Sequence, residues 1–240
     1  MLFFLVRHGD PIYVPDSLTP LGMRQAEAVA KRLALYGIDE IYTSTSNRAI
    51  QTAKPLCELI NKEITEKLDF ANESHTWAEL TTEKDDGTGL TWLFYNKKTV
   101  NLFNSPEIRS LGDRWFDHPE LKAKNYEKGI KRVYDESDAF FKRLGYEHIR
   151  YSGKYKAIYP SEKRVALFAH QGFGLAFLSC VLDIPYPAFC THFDIGHTGV
   201  TVINFRDFDG ISVPKVLTLS SDSHLYREGL PTLYNYEVEF

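Results

Sequence analysis

The stretch MLFFLVRHGD (residues 1–10) contains a short, uninterrupted apolar run that stops abruptly at Arg7, His8 and Gly9. Continuous apolar character over residues 2–6 is typical of a strand that is covered on both faces, although a buried helical segment has the same pattern. Ionisable side chains at the end of such a strand either form a solvated turn or belong to a binding site. The rest of the chain decides between these alternatives.

Strand-like and helix-like segments alternate along most of the chain. The first helix is predicted between Thr19, which suits an N-cap, and Gly37, which ends it. Towards the end of the chain, residues 198–220 are predicted to form two strands around a turn at Asp209 and Gly210. This alternation indicates an α/β fold in three layers, α/β/α, with a mostly parallel, doubly wound sheet. The same patterns predict strands at 38–44, 63–71 and 163–170, and helices at 46–60, 119–144 and 172–185.

The regular pattern loosens at about residues 74–118. This segment contains the turn-like sequence KDDGTG (84–89) and three tryptophans, Trp77, Trp92 and Trp115. We predict that it forms a mostly helical cap inserted into a single domain that spans residues 1–240. The tryptophans of such a segment most often pack in a core; alternatively, they line a pocket for an apolar or aromatic part of a ligand.

The composition is that of a globular protein, with 43% hydrophobic and 25% charged residues. A formal net charge of −4 argues against a general nucleic-acid binder, which usually has an excess of basic residues. The first apolar run is too short for a secretory signal, and no other segment has the length of a membrane span. We therefore expect a cytoplasmic protein without nucleic-acid or membrane partners; an oligomer is permitted but not indicated. The three cysteines lack metal-type spacing and are interpreted as small core residues: Cys57, Cys180 and Cys190.

Five side chains lie at the predicted carboxyl ends of strands. Arg7 and His8 follow the first strand, Arg48 lies in the first turn of the helix after the second strand, Glu73 follows the third, and His170 ends a later one. Ligands of open α/β sheets bind in the crevice beyond these strand ends. The topology therefore predicts that these five residues meet in one site.

This set of side chains suits phosphoryl transfer, which needs mainly positioning and charge stabilisation. Arginines form forked hydrogen bonds with phosphate oxygens, and helix N-termini present free N–H groups to anions. A histidine can attack phosphorus through one ring nitrogen when a hydrogen bond holds the other. A carboxylic acid can protonate the departing alkoxide and later deprotonate the attacking water.

Five segments of the chain resemble the histidine phosphatase superfamily, in its phosphoglycerate-mutase-like branch, and occur in the order found there. The hallmark of that branch is an Arg-His-Gly tripeptide after the first strand. The resemblance covers both ends of the chain but not the middle insertion. The segments are LVRHGD (5–10), LTPLGMRQA (18–26), TSTSNRAIQTA (43–53), ANESH (71–75) and FAHQG (168–172).

The resemblance implies that His8 is the nucleophile and becomes phosphohistidine. It further implies that Arg7, Arg48 and His170 form the phosphate pocket together with His8. The segment ANESH is similar to the LNERH segment of the mutases, which implies that Glu73 is the proton donor. Other carboxylates remain alternatives for that role, first Glu79 and then Asp10, Asp85 and Asp86.

The chain departs from the mutase pattern directly after the tripeptide. Mutases usually have a serine there and an asparagine soon after, whereas this chain reads DPIYVPDS (10–17). This difference favours water over a glycerate as the acceptor. We therefore predict a metal-independent phosphomonoester hydrolase that needs no cofactor and acts through phosphohistidine on a small phosphorylated metabolite. A phosphoglycerate mutase-type phosphotransferase and a non-catalytic phosphate-binding module are the alternatives.

The segment THFDIGHTGV (191–200) contains donor groups that suit a metal ion, on His192, Asp194 and His197. Their spacing matches no zinc signature, however, and a pocket with two arginines repels cations. We therefore predict no metal site here. The family resemblance implies instead that this segment passes along the pocket wall, where His197 contacts the substrate.

Overall fold

A computed structural model of the protein describes residues 1–236. The strands are β1 (Leu2–Arg7), β2 (Pro11–Ile12), β3 (Ser17–Leu18), β4 (Glu40–Ser44), β5 (Glu66–Leu68), β6 (Thr81–Glu83), β7 (Leu90–Trp92), β8 (Tyr146–Ile149), β9 (Lys154–Ala157), β10 (Arg164–Ala169), β11 (Val200–Asn204), β12 (Asp207–Phe208), β13 (Ile211–Ser212) and β14 (Lys215–Ser221). The α-helices are α1 (Pro20–Ala34), α2 (Asn47–Ile60), α3 (Glu73–Glu79), α4 (Lys97–Phe103), α5 (Pro106–Leu111), α6 (Pro119–Lys122), α7 (Tyr126–Arg143), α8 (Gln171–Leu182), α9 (Tyr186–Cys190) and α10 (Ser223–Arg227).

The central sheet has six strands in the order β14-β11-β1-β10-β4-β5. Strands β1, β10, β4 and β5 run parallel, whereas β11 is antiparallel to both β1 and β14. The register pairs Arg7 at the end of β1 with Ala169 at the end of β10. Because these strands end level with each other, the next residues, His8 and His170, leave the sheet at the same edge. The predicted mostly parallel sheet is confirmed.

Alternate residues of β1 pack in two hydrophobic clusters on opposite faces of the sheet. Phe3 and Leu5 belong to the cluster that contains residues of α7 and α8. Phe4 and Val6 belong to the cluster that contains residues of α1 and α2. Successive side chains of a strand point to opposite faces, so a strand that is apolar at every position needs helices on both sides. The predicted three-layer α/β/α fold is confirmed.

A second sheet, in the order β12-β13-β9-β8, was not predicted from the sequence. The turn predicted at Asp209 and Gly210 is present, with φ angles of 55° and 87°. It joins the two-residue strands β12 and β13 of this second sheet, however. The two longer strands predicted around it, β11 and β14, pair with each other in the central sheet. The prediction was wrong in assigning the turn directly to the longer strands.

Three predicted elements are shorter than their sequence patterns indicated. The strand predicted at 63–71 is limited to β5, because a 3-10 turn takes over at Asp69–Ala71. The helix predicted at 119–144 is interrupted between α6 and α7, where Asn125 has a left-handed φ of 56°. The helix predicted at 172–185 ends at Leu182, because Asp183 adopts a left-handed φ of 49°. Left-handed residues end a helix irrespective of the apolar pattern that follows.

The segment predicted as a cap contains the helices α3, α4 and α5, the β6-β7 hairpin and a 3-10 segment at Gly112–Asp117. Trp115 is buried and packs edge-on against Phe103. Trp77 and Trp92 instead line a cavity. The predicted packing role therefore fits Trp115, and the alternative role as pocket lining fits the other two. That the segment is a cap inserted into one domain stays a prediction.

Cys57, Cys180 and Cys190 are free and buried, which confirms their interpretation as core residues. Within residues 1–236, no helix combines the length and the apolar character that a membrane crossing requires.

Candidate active site

Two buried histidines lie side by side at the edge where β1 and β10 end. The ring centroids of His8 and His170 are 5.1 Å apart. The backbone N–H of His8 donates to the carbonyl of Ala169, at 2.9 Å, which continues the strand pairing up to the histidine itself. His8 is 2% exposed and His170 is 1% exposed. The parallel register therefore brings both imidazoles into one protected site.

The ring of His8 is held in one orientation by its own loop. Nδ1 lies 2.7 Å from the carbonyl oxygen of Gly9, and because a carbonyl only accepts, Nδ1 carries the proton. Nε2 is then unprotonated in the neutral ring. Burial, followed by the charges of His170 and Arg7, lowers the pKa of His8 well below 6.5. The side chain therefore offers a free nitrogen lone pair at neutral pH.

Gly9 permits the close approach on which this loop depends. A Cβ at residue 9 would lie 2.6 Å from the carbonyl oxygen of Gly22 at the start of α1, which is closer than packed atoms allow. The Gly9 N–H donates to Oγ1 of Thr52 in α2, at 3.1 Å. Glycine therefore lets the loop after β1 pack against the start of α1 while its carbonyl orients the histidine.

His170 is held between Ser44 and Glu73. Its Nε2 lies 2.8 Å from Oγ of Ser44, at the end of β4, and its Nδ1 lies 3.3 Å from Oε2 of Glu73. Burial, together with the charges of Arg48 and Arg7, lowers its pKa well below 6.5. The ring is therefore neutral in the unliganded protein.

Arg7 is a buried cation anchored by three groups from the C-terminal half of the chain. Its guanidinium donates to the carbonyl of Ile195 at 2.6 Å, to Oδ1 of Asn235 at 2.7 Å and to Nε2 of His197 at 3.0 Å. His197 accepts this hydrogen bond because it is neutral: burial and then the charge of Arg7 lower its pKa to about 3. The cation is thus held rigidly at the end of β1.

Arg48 lies in the first turn of α2 and is also mostly buried. One Nη atom donates to Oδ1 of Asp16 at 2.7 Å, and the guanidinium lies 5.5 Å from the ring centre of Tyr13. Among the described residues, the Nε atoms of both Arg7 and Arg48 are buried without a hydrogen-bond partner. Buried cationic donors without partners are costly, and an anionic ligand satisfies such groups.

Glu73 begins α3, where the side chain of Asn72 accepts a hydrogen bond from the backbone of Ser74 and caps the helix. Oε1 of Glu73 accepts from the backbone N–H of Phe173 at 3.2 Å. Burial raises the pKa of this carboxyl group, and the charges of Arg7 and Arg48 oppose the increase. The group therefore retains a proton to a higher pH than an exposed glutamate does, as a general acid must.

A cavity of about 680 Å³ lies beside Arg7, Arg48 and Glu73, whereas the buried rings of His8 and His170 are not among its lining residues. Arg7, Arg48 and Glu73 line it from the loops and helix starts at the strand ends. Trp77 and Trp92 line it from the segment predicted as a cap. The cavity therefore combines a cationic, carboxyl-bearing region with an aromatic wall.

Residues 3–130 match the sequence profile of the histidine phosphatase superfamily, branch 1. The chain belongs to this superfamily. The family predicted from the five motifs is therefore confirmed, and with it an enzyme of the phosphatase and phosphoglycerate-mutase-like class. No protein among those with curated functions matches the sequence.

Solved structures of three phosphatases share the fold. A phosphoserine phosphatase variant from Entamoeba histolytica, in complex with phosphoserine, is 19% identical, with 93% of this chain and 98% of that chain covered and a TM-score of 0.58. The mycobacterial glucosyl-3-phosphoglycerate phosphatase is 18% identical, with 92% and 98% covered and a TM-score of 0.55. The alpha-ribazole phosphatase from Shigella flexneri is 16% identical, with 92% and 97% covered and a TM-score of 0.58.

Three of the alternative acids of this histidine phosphatase, Glu79, Asp85 and Asp86, form structural contacts and do not line the cavity. Glu79 forms an ion pair with Arg132 of α7, with an Nε–Oε2 distance of 2.8 Å. Asp85 accepts from the backbone of Lys97 at the start of α4, and Asp86 accepts from Thr88 within the hairpin turn. None of these three carboxylates lines the cavity.

Asp10, the remaining alternative acid, lies nearer to the histidines but is engaged in a structural contact. Its Oδ2 accepts from Oγ1 of Thr19, at 2.6 Å, at the start of α1. Its Oδ1 lies 3.8 Å from Nδ1 of His197. Of the five candidate acids, Glu73 alone lines the cavity.

The three donors of the HFDIGH segment do not converge on one point. His192 lies at the surface, where its ring contacts the carbonyl of Ala188, and Asp194 accepts from Gln171 and Asn235. His197 contacts Arg7 but does not line the 680 Å³ cavity, so its predicted substrate contact stays a prediction. Donor atoms that could hold a metal do cluster within 4.8 Å of one another in two other places: His8, Glu73 and His170, and Asp138, His148 and Cys180.

Several residues around the site were not predicted. Ser44 lies in the motif TSTSNRAIQTA (43–53) at the end of β4. Because β4 runs parallel to β10, the proximity of Ser44 to His170 could have been inferred. Asn235 carries no local pattern, and its contact with Arg7 depends on the path of the chain after α10. Pocket lining by Trp92 was one of two alternatives from the sequence, and its contact with the site follows from the folding of residues 74–118.

Proposed function

We propose that this histidine phosphatase hydrolyses small phosphomonoesters through a phosphohistidine at His8, without a metal ion or cofactor. The observation that carries the proposal is the 2.7 Å contact between Nδ1 of His8 and the Gly9 carbonyl, which leaves Nε2 unprotonated in a ring that also experiences the charges of Arg7 and Arg48. The solved relatives held phosphoserine, 3-phosphoglycerate or inorganic phosphate, which supports a small phosphorylated substrate.

In the first step, Nε2 of His8 attacks phosphorus and the bond to the leaving-group oxygen breaks. Arg7 and Arg48 stabilise the charge on the phosphoryl oxygens, and His170 donates a hydrogen bond to them. Glu73 transfers its proton to the leaving oxygen, so the product departs as a neutral alcohol. The phosphoryl group is then bound covalently to His8.

In the second step, the Glu73 carboxylate takes a proton from a water molecule as that water attacks phosphorus. The bond between phosphorus and Nε2 breaks, and its electron pair returns to the histidine ring. Inorganic phosphate leaves, and Glu73 is protonated again. Each turnover therefore restores both the nucleophile and the acid.

A non-catalytic phosphate-binding module has no use for a buried acid beside the phosphate site. The raised pKa of Glu73 and its 3.3 Å contact with His170 therefore favour an enzyme over that module. A mutase must also hold the carboxylate of a glycerate. Arg7 and Arg48 are the only basic residues lining the cavity in the described part of the chain, and both serve the phosphate, which favours the hydrolase.

The proposal is tested by incubating the purified protein with a ³²P-labelled phosphomonoester and quenching at early times. We expect an acid-labile phosphoenzyme and release of inorganic phosphate. The His8→Ala variant forms neither while keeping its circular dichroism spectrum, and His192→Ala, which alters an exposed histidine, retains both. Turnover by His8→Ala contradicts the proposal; phosphate binding without any phosphoenzyme supports the binding module, and conversion of 3-phosphoglycerate to its 2-phospho isomer supports the mutase.

A further inference from the structure

The charged residues around the cavity are assigned to the phosphate and its leaving oxygen. Arg7 and Arg48 are the only lysine or arginine side chains lining it within residues 1–236. The acidic lining residues are Asp16, which accepts from Arg48, and Glu73. A second anionic group on the substrate, such as a carboxylate, therefore meets no cation of its own and lies near a carboxylate of the protein.

The other side of the cavity is aromatic. The rings of Trp77 and Trp92 pack edge to face, with centroids 4.8 Å apart, and Trp92 stacks on Phe94 behind it. Trp92 is 8% exposed, whereas Trp77 is 37% exposed although it is a large apolar side chain. The ring of Tyr13, also exposed, lies beside Arg48 and lines the cavity too. The ring of Trp92 is thus held by its contact with Phe94, and the more exposed Trp77 presents apolar surface to the cavity.

The aromatic wall adjoins the proposed acid. A Cβ added to Gly172 would lie 2.3 Å from the Trp92 ring and 2.7 Å from Oε1 of Glu73, so the indole and the carboxyl group share the space beside this glycine. In the proposed mechanism Glu73 protonates the leaving oxygen. The wall therefore contacts the leaving group rather than the phosphoryl group.

We infer that the substrates of this enzyme are phosphate monoesters of uncharged alcohols that carry an aromatic or flat apolar group, and that a carboxylate on the leaving group is disfavoured. This inference rests on the proposed function. The cavity volume of about 680 Å³ has room for such a group, since pockets for small organic ligands measure roughly 300–1,000 Å³. Trp77 and Trp92 are the residues that determine this specificity.

The test compares substrates whose leaving groups are all primary alcohols, so that leaving-group acidity changes little: ethyl, benzyl, 2-naphthylmethyl and 4-carboxybenzyl phosphate. We expect kcat/KM to rise about tenfold or more from ethyl to 2-naphthylmethyl phosphate as ring surface is buried. The carboxylate should lower kcat/KM about tenfold relative to benzyl phosphate. Inorganic phosphate release is measured with purified wild type and with His8→Ala as the blank.

The variant Trp77→Ala should reduce the ratio of kcat/KM between 2-naphthylmethyl and ethyl phosphate about tenfold, and Trp77→Phe should restore most of it. Tyr226→Ala is the matched control, because Tyr226 is 90% exposed on α10 and does not line the cavity. The inference is overturned if kcat/KM is equal across the substrates, if the carboxylate raises kcat/KM, or if Trp77→Ala lowers kcat/KM equally for every substrate. His8-dependent turnover in the same assays still supports the proposed function. If no substrate gives His8-dependent turnover, the proposed function fails and the inference fails with it.

Discussion

The imidazoles of His8 and His170 lie 5.1 Å apart, and each is held by one short contact, to the Gly9 carbonyl at 2.7 Å and to Oγ of Ser44 at 2.8 Å. Both rings are buried, and burial lowers both pKa values well below 6.5. Because the two rings are neutral at physiological pH, the proposed nucleophile needs no separate base to remove a proton before it attacks.

The pH profile of kcat/KM, which reports the free enzyme, should therefore extend further to acidic pH than an ordinary histidine allows. His8 is active when unprotonated, and its lowered pKa keeps it so below pH 6.5. Glu73 is active when protonated, so kcat/KM should fall as pH rises through its raised pKa. Measured at substrate concentrations below KM, the alkaline fall should disappear in Glu73→Gln; if it persists there, another group is the acid.

The variant Glu73→Gln should lower kcat about 100-fold or more on an alkyl phosphate, because an amide cannot protonate the leaving alkoxide. The loss should be much smaller with p-nitrophenyl phosphate, whose leaving group needs little protonation. Glu79→Gln is the matched control: it removes a carboxylate paired with Arg132 and should leave the ratio between the two substrates unchanged. The opposite pattern for the two variants identifies Glu79 as the acid.

Removal of the side chain that holds Arg7 should weaken substrate binding. Asn235 accepts from Arg7 at 2.7 Å and donates to Asp194 at 2.8 Å, so it fixes the guanidinium at the cavity edge. Asn235→Ala should raise KM about threefold to tenfold and lower the affinity for inorganic phosphate similarly, with a smaller effect on kcat. Unchanged KM and phosphate affinity mean that the Ile195 carbonyl and His197 suffice to hold Arg7.

The contribution of His148 to the stability of the protein should decrease between about pH 6.5 and 9. Nδ1 of His148 lies 2.8 Å from Asp138 and its Nε2 lies 3.2 Å from Asp183. Burial lowers the pKa of His148, but the hydrogen bonds to the two carboxylates outweigh burial and raise the pKa to about 9. A histidine whose pKa is raised by folding contributes its full stabilisation below its pKa in the unfolded chain, about 6.5. That stabilisation is lost as the pH rises through its pKa in the folded protein. The contribution of His148 to the free energy of unfolding should fall by about 3 kcal/mol over this range. Other histidines with lowered pKa values, such as His8, His170 and His197, contribute in the opposite direction.

Urea unfolding at pH 6 and at pH 9 measures this difference. His148→Gln should be less stable than wild type at pH 6, and the difference in the free energy of unfolding between the two proteins should become much smaller at pH 9. The exposed His192→Gln variant should keep the pH dependence of wild type. An equal pH dependence in His148→Gln contradicts the assignment.

Chelators should not affect the enzyme. Donor atoms of His8, Glu73 and His170 lie within 4.8 Å of one another, a geometry that could hold a metal ion, but Arg7 and Arg48 line the same region and oppose a cation. Activity on p-nitrophenyl phosphate should be unchanged after dialysis against EDTA. Loss of activity that zinc or magnesium restores identifies a metal-dependent enzyme instead.

Much of the site could be predicted because its positions follow from local rules. The apolar β1 needs cover on both faces, parallel neighbours end at one edge, and residues at those ends converge. Arg7, His8 and His170 meet for this reason. The second sheet could not be predicted, because β8 and β9 are short strands, and β13, which pairs with β9, lies far along the chain and carries no distinctive pattern.

The sequence by itself determined the layer order, the edge of the sheet at which the site forms and the motifs of the histidine phosphatase superfamily, because periodicity, capping and strand ends act over a few residues. Only the tertiary structure placed Glu73 in the cavity lining and Glu79 in an ion pair with Arg132, brought Trp92 against Glu73 beside Gly172, and joined Asn235 to Arg7. Those contacts link segments far apart in the chain. They depend on how residues 74–118 and the C-terminal segment pack, which no local pattern specifies.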